Sequence, residues 1–322
     1  MTQPIARLAG LRSVQLETVA LADSVDFYTE VWGLREVERD AKAAWLRGTG
    51  ENHHVLSLAA AEQNGLGCIS FAVATPANVD AAARAMEDLG IPLLEPPGPN
   101  VRPGGGYGLR LADPEGRTIE IIAEMEAVRP LTLDEASPIG VTHVVLNTVD
   151  IDRAVRFYVD VLGLRVSDWS EHQMAFLRSN SYHHAIAFNQ ASWTSVNHVA
   201  YEMPSVDHFM RGIGKLKHNG QAPLWGPGRH GPGNNTFSYF ADPARLVCEY
   251  TSDVQQIVEA DWLPRVWRRV PELADLWGTA GPPSADVRTC MAGVADPGAF
   301  AGRPDLQTYW EHAGATPNVR SR

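Results

Sequence analysis

Residues 146–166 read LNTVDIDRAVRFYVDVLGLRV, and residues 16–37 read LETVALADSVDFYTEVWGLREV. Phe27-Tyr28 and Phe157-Tyr158 stand 130 positions apart, as do Gly33-Leu34-Arg35 and Gly163-Leu164-Arg165. Asp113-Pro114 followed by Glu120, and Asp242-Pro243 followed by Glu249, repeat at an offset of 129. Landmarks that keep their spacing to within one residue over about a hundred residues mark an internal duplication, and a duplication decides the architecture. The chain is therefore read as two copies of one module, residues 8–128 and 136–252, followed by a tail, residues 253–322.

Each copy carries the same run of elements. A short apolar strand (Val14–Leu16; Thr142–Leu146) leads into an amphipathic helix. In the second copy Asp152 is placed to cap that helix, Val155, Tyr158, Val161 and Leu162 recur on one face, and Gly163 ends it. Alternating apolar segments such as Gln173–Leu177 and His184–Phe188 follow as strands. A further strand (Ile69–Val73; His198–Glu202) enters a second helix that ends near Gly90 or Gly220. A hairpin turning on Asp-Pro closes the copy. This is an α+β fold with two βαβββ units per module. The helices find a packing surface only if the strands curl into a partial barrel, whose concave face is free to hold a site.

Composition bounds the function. The 322 residues suit about two domains. With 38 acidic and 27 basic side chains the net charge is −11, which argues against nucleic acid or an anionic membrane surface as partner. Three scattered cysteines make neither a disulfide framework nor a cysteine zinc site. No apolar run approaches the roughly 18 residues of a membrane span, and the start lacks a signal-peptide pattern, so a cytoplasmic protein is expected. One feature stands out: eight of the eleven histidines fall between His143 and His230.

Three residues on three expected strands, His143, His198 and Glu249, form a set able to converge. Two neutral imidazoles and one carboxylate bind Fe(II) or a similar ion on one face and leave positions open opposite. The first module carries Ser13 and Ser70 at the positions read as matching His143 and His198, and keeps Glu120. Serine does not replace imidazole as a ligand, so only the second module is expected to hold metal. His53-His54 reads as a solvated loop pair, and Gly104-Gly105-Gly106 as a turn, because no Lys-Ser/Thr follows it. His172, His208, His218 and His312 receive no role.

Residues 226–249 read GPGRHGPGNNTFSYFADPARLVCE. His230 precedes Tyr239 by nine positions and Tyr239 precedes Glu249 by ten, with Asp242-Pro243 between them. His183-His184-Ala185-Ile186-Ala187-Phe188 supplies a His-His-x-Ile-Ala-Phe strand. In these motifs the chain resembles the type I extradiol, ring-cleaving catechol dioxygenases of the vicinal-oxygen-chelate superfamily, over about residues 8–252. The resemblance implies His143, His198 and Glu249 as metal ligands and a substituted catechol with O2 as substrates. It implies Fe(II) as the metal; Mn(II) is the alternative, because both accept this ligand set. It also implies a homo-oligomer.

On that resemblance His184 takes a proton from the catechol and later returns one, a task suited to a group titrating near working pH. The family register favours His184 over His183, which strand alternation aims at the opposite face. His230 and Tyr239 would hydrogen-bond the substrate oxygen and stabilise charge developing in the reaction. Arg229 is either a substrate contact or a surface ion-pair partner. Trp225 offers a flat apolar surface and favours a neutral substituent on the ring. The tail, with Trp262, Trp267, Trp277 and Trp310 among Arg265, Arg268 and Arg269, is either a lid on the pocket or a strap on the barrel or between subunits. The rival readings are another metalloenzyme of the superfamily (an isomerase or a 2-oxo-acid-type dioxygenase) and a metal-free aromatic-binding protein.

Overall fold

The computed structural model describes residues 6, 8–132 and 136–313. The first module runs β1 (Leu8–Thr18), α1 (Leu21–Asp26), β2 (Arg35–Arg39), β3 (Ala43–Arg47), β4 (Leu56–Ala60), β5 (Gly65–Val73), α2 (Pro76–Asp88), β6 (Leu93–Pro99), β7 (Tyr107–Ala112) and β8 (Thr118–Ala123). The second repeats that order. Its elements are β9 (Gly140–Thr148), α3 (Ile151–Asp160), β10 (Arg165–Ser170), β11 (Met174–Arg178), β12 (Ile186–Gln190), β13 (Ser195–Glu202), α4 (Val206–His218), β14 (Trp225–Arg229), β15 (Thr236–Ala241) and β16 (Val247–Ser252). The tail adds β17 (Arg265–Trp267), α5 (Pro271–Ala274), α6 (Ala285–Ala292) and α7 (Pro304–Ala313).

The strands form two sheets, ordered β2-β3-β4-β1-β5-β8-β7-β6 and β14-β15-β16-β13-β9-β12-β11-β10-β17. In each, the opening strands of the two βαβββ units lie antiparallel at the centre, β1 against β5 and β9 against β13. Each also pairs in parallel with the closing strand of its own unit, as in β9 with β12 and β13 with β16. A parallel pair needs a long crossover, and the helix and two strands between supply it. Both sheets end in edges, so each barrel stays open along one side.

Local chemistry explains the helices. Asp150 caps α3, its Oδ1 accepting from the Arg153 N–H at 2.9 Å. Asp152, expected as the cap, sits in the first turn instead, because Asp150 is the residue with extended backbone there. Ile151, Ala154, Val155, Phe157 and Tyr158 form the buried stripe of α3, and Gly163 turns the chain at φ 78°. Helix α1 continues as a π-helical segment, Phe27–Trp32, that buries Phe27, Tyr28 and Trp32.

The modules grip each other reciprocally. Ser24 Oγ donates to Asp242 Oδ2 at 2.9 Å, and Tyr158 Oη donates to Asp113 Oδ2 at 3.2 Å, so each Asp-Pro turn is held by the other module. Trp32 stacks on Tyr250 with ring centres 3.9 Å apart. One apolar core runs through both modules.

Two local expectations change, and the tail gains a place. The strand expected from His184 begins at Ile186, which leaves His183-His184 in the preceding loop. The pair His53-His54 is buried rather than solvated. The tail lies outside the duplication yet extends the second sheet, β17 pairing in parallel with β10. Elsewhere in the tail Trp310 is buried against Phe157, ring centres 5.5 Å apart. Gly104, Gly105 and Gly106 all have positive φ, the turn their spacing suggested. No helix among the described residues is long and apolar enough to cross a membrane.

Candidate active site

Strand register brings the expected residues together. His143 on β9 lies opposite Ala200 on β13, and Ala200 lies opposite Glu249 on β16. Paired residues share a face of the sheet, and so do residues two apart on one strand. His143, Ala200 and Glu249 therefore form a row across three strands, and His198 joins them on the same face. The methyl group of Ala200 leaves the space its larger neighbours lean into. Nε2 of His143 lies 3.2 Å, and Nε2 of His198 3.1 Å, from Glu249 Oε2. Ligand atoms of all three lie within 4.8 Å of one another, and all three residues are buried.

The far nitrogens of both imidazoles are spoken for. Thr142 Oγ1 lies 3.3 Å from the Ala200 carbonyl and 3.0 Å from His143 Nδ1. The carbonyl takes the hydroxyl proton, so the hydroxyl oxygen accepts from His143 Nδ1–H. Asn197 Oδ1 accepts from His198 Nδ1–H at 2.8 Å. Each Nε2 is left to point a lone pair at Glu249, whose Oε1 has no hydrogen-bond partner despite being buried. Burial lowers His198, against the pull of Glu249. Lone pairs and a carboxylate facing one another repel unless a cation lies between them. This donor set suits a divalent transition ion with one side open.

Three more of the expected residues surround the cluster. The His184 ring centre is 4.1 Å from that of His143, and burial, with the histidines around it, pushes His184 well below its ordinary value. Tyr239 on β15 lies opposite Glu249, and Trp225 on β14 lies opposite Tyr239. His230 Nδ1 donates to the Ala274 carbonyl at 3.0 Å, so its Nε2 accepts from Tyr239 Oη at 2.9 Å. Burial, then the Glu249 charge, raises Tyr239 and keeps it an O–H donor. Trp225 stacks on Tyr239 at 5.5 Å and anchors its indole N–H on the Gly281 carbonyl of the tail.

The model of the glyoxalase/bleomycin resistance protein/dioxygenase superfamily matches residues 10–121 and 140–250. The chain belongs to that superfamily. Metapyrocatechase 2 of Cupriavidus necator is 33% identical over 162 residues, spanning 50% of this chain and 49% of that protein. The chain thus covers about half the length of that relative. The manganese-dependent 2,3-dihydroxybiphenyl 1,2-dioxygenase of Geobacillus genomosp. 3 is 24% identical over 303 residues, covering 82% of this chain and 91% of that one. Among solved structures, the Mn(II)-bound glyoxalase from Novosphingobium aromaticivorans superposes with a TM-score of 0.83 at 37% identity, over 87% of this chain and 94% of that one. Homoprotocatechuate 2,3-dioxygenase from Arthrobacter globiformis gives 0.79 at 23%, over 92% and 94%, a likeness of fold.

Within this superfamily member the first module is an internal comparison. Ser13, Ser70 and Glu120 repeat the row of His143, Ala200 and Glu249. Ser70 therefore matches Ala200, which corrects its assignment to the place of His198. That place is taken by Cys68, opposite Gln15 as His198 is opposite Val145. Arg110, opposite Glu120 as Tyr239 is opposite Glu249, sets Nη2 and Nε at 2.8 and 2.9 Å from Glu120 Oε1. A guanidinium thus neutralises the carboxylate from within the protein. Burial and Glu120 push the Cys68 thiol up to about 12.

Other expectations resolve plainly. Arg229 Nη1 pairs with Asp253 Oδ2 at 3.3 Å, and its guanidinium lies over Trp277. His172 pairs with Asp152 at the surface, and His208 contacts Ser205 at the start of α4. Sequence reading passed over Asp168, Ala274 and Asp275. They act through the tail, and no spacing signal ties the tail to the second module.

Proposed function

We propose that this protein is an extradiol dioxygenase that opens the ring of a substituted catechol beside the diol with O2. Its metal would be held by His143, His198 and Glu249, with Fe(II) the first choice and Mn(II) the second. The observation that carries the reading is the buried cluster of two Nε2 lone pairs and a carboxylate, with His184, His230 and Tyr239 on its rim. Catecholic dioxygenases among the relatives support it. On this reading residues 136–252 carry the chemistry, residues 8–128 keep the fold without a metal, and the tail from residue 253 buttresses the rim.

A bound divalent ion supplies Lewis acidity and a template for both catechol oxygens. His184, held neutral by burial, accepts a proton from a catechol hydroxyl and returns it to a leaving oxygen. The Tyr239 hydroxyl, now bonded to His230, swings its proton toward charge that builds on substrate oxygen, and His230 steadies the phenol. Trp225 and Phe237 wall the site with aromatic surface, which suits a neutral ring substituent.

The test is anaerobic reconstitution of metal-free protein with Fe(II) or Mn(II), then addition of a panel of catechols under air. Equimolar uptake of O2 with a coloured ring-fission product is expected, and His198→Ala should lose both metal and turnover. The glyoxalase from Novosphingobium aromaticivorans, 37% identical, favours one second reading: a glyoxalase-like isomerase. Metal-dependent isomerisation without O2 uptake would establish that reading instead.

A further inference from the structure

We propose that Asp168 and His183 are positioning residues that fix which ring nitrogen of His184 carries the proton; this rests on the reading of His184 as the group that takes the catechol proton. The three side chains form a buried line. His184 Nδ1 lies 3.0 Å from His183 Nδ1, and His183 Nε2 lies 3.1 Å from Asp168 Oδ2. Asp168 is surrounded by donors: Oδ1 accepts from the Arg265 N–H at 2.8 Å, and Oδ2 also accepts from Trp267 Nε1–H at 2.7 Å. Burial works to raise this carboxyl, yet those bonds with that of His183 bring it below its ordinary value.

An ionised carboxylate has no proton to give, so the proton between it and His183 sits on Nε2 of the histidine. Neutral His183 then has a bare Nδ1, which only accepts, and among the described residues the donor facing it is His184 Nδ1–H. The polarity therefore runs one way, from His184 through His183 to Asp168. It leaves His184 with an unprotonated Nε2, the form a proton acceptor needs. When the catechol O–H bond breaks and the N–H bond forms at Nε2, the resulting imidazolium is stabilised through His183 by the Asp168 charge. A buried carboxylate behind a histidine has this double effect, on tautomer and on charge.

Gly233 has φ +77°, and a Cβ there would stand 3.0 Å from Asn235 Oδ1, 3.1 Å from His183 Nδ1 and 3.3 Å from His184 Cε1, so the loop leaves no room for a side chain beside the pair. The first module supplies the contrast. His53 and His54 keep the same Nδ1 contact, at 3.1 Å. Where the 130-residue offset places the partner of Asp168, however, stands Glu38, exposed on β2 at the edge of its sheet. In the second module β17 covers the corresponding strand and brings two of the three donors to Asp168. The pair is duplicated, whereas the anchor occurs beside the metal-type cluster alone.

Two measurements test this. In full-length protein labelled with 15N-histidine and loaded with diamagnetic Zn(II), His184 should be protonated on Nδ1 and bare on Nε2, and Asp168→Asn should mix or reverse those states. In the Fe(II)- or Mn(II)-loaded enzyme at matched metal content, His183→Leu and Asp168→Ala should each lower kcat by about 10- to 100-fold with KM little changed. His183→Asn, whose Oδ1 stands near the place of Nδ1, should recover most of that loss, and adding Asp168→Ala to it should cost little more. A proton on His184 Nε2 in the unmodified protein, full kcat in His183→Leu, or no recovery in His183→Asn would each overturn the proposal. If the unmodified protein opens no catechol ring, the functional reading fails, and the nitrogen signals still decide this one.

Discussion

At the scale of single residues, what could be read from the sequence was whatever strand geometry makes periodic. His230, Tyr239 and Glu249 sit at spacings of nine and ten, and the β15–β16 hairpin turns those spacings into one surface. Asp168 could not be read in this way, because its meaning comes from Trp267, 99 positions away. The misassignment of Ser70 has the same origin, since only the register of β5 against β1 shows Cys68 in the place of His198. Two substitutions probe this scale. Tyr239→Phe removes the hydroxyl that donates to His230 and should lower kcat by about 100-fold while metal content stays unchanged, as read by turnover beside metal analysis. Ala200→Val puts two methyl groups between His143 and Glu249. Overpacking of about 1–3 kcal/mol should weaken metal binding about tenfold in a chelator competition, and Ala200→Ser should bind as the parent does.

At the scale of elements, the strands and helices of both modules followed from hydrophobic period, whereas the tail did not. Segment 262–281 is tied to the second module by bonds between residues far apart in sequence, such as Trp262 Nε1–H to the Ser167 carbonyl and Leu276 N–H to the Arg229 carbonyl, and such bonds leave no periodic mark. Asp275 shows how it holds. Its Oδ1 accepts from the Arg229 and Trp277 N–H groups at 3.0 Å each, and its Oδ2 from Ala280 N–H at 2.7 Å. This clasp sets the Ala274 carbonyl against His230. Asp275→Ala strands those donors at about 1–3 kcal/mol for each one left buried and unmet. The melting temperature should fall by about 5 °C or more, and kcat should fall with it as His230 loses its anchor. A variant that melts early yet turns over at the parental rate would show that the tail supports the fold without aligning the site.

At the scale of the whole molecule, the duplication was legible outright, because two landmarks kept the same offset to within one residue. The reciprocal grip was not, since the offset says nothing about which module holds which turn. That grip has a pH signature. Burial lifts Asp242 from the ordinary 3.8 to about 6, against hydrogen bonds from the Leu246 N–H and the Ser24 hydroxyl. The folded state therefore binds this proton more tightly than the unfolded chain does. Its contribution is complete below the ordinary value and is lost as pH rises through about 6, a change on the order of 3 kcal/mol. Melting temperatures of the parent and Asp242→Asn, measured across that window, should diverge, with the parent losing ground as pH rises; parallel curves would exclude the assignment. The ion pair of Arg110 with Glu120 has a consequence for descent. Removing Arg110 first strands a buried carboxylate at about 3–5 kcal/mol, whereas histidines placed first at 13 and 68 leave that carboxylate matched. The less costly path toward a second cluster therefore places the two imidazoles first and releases the arginine last.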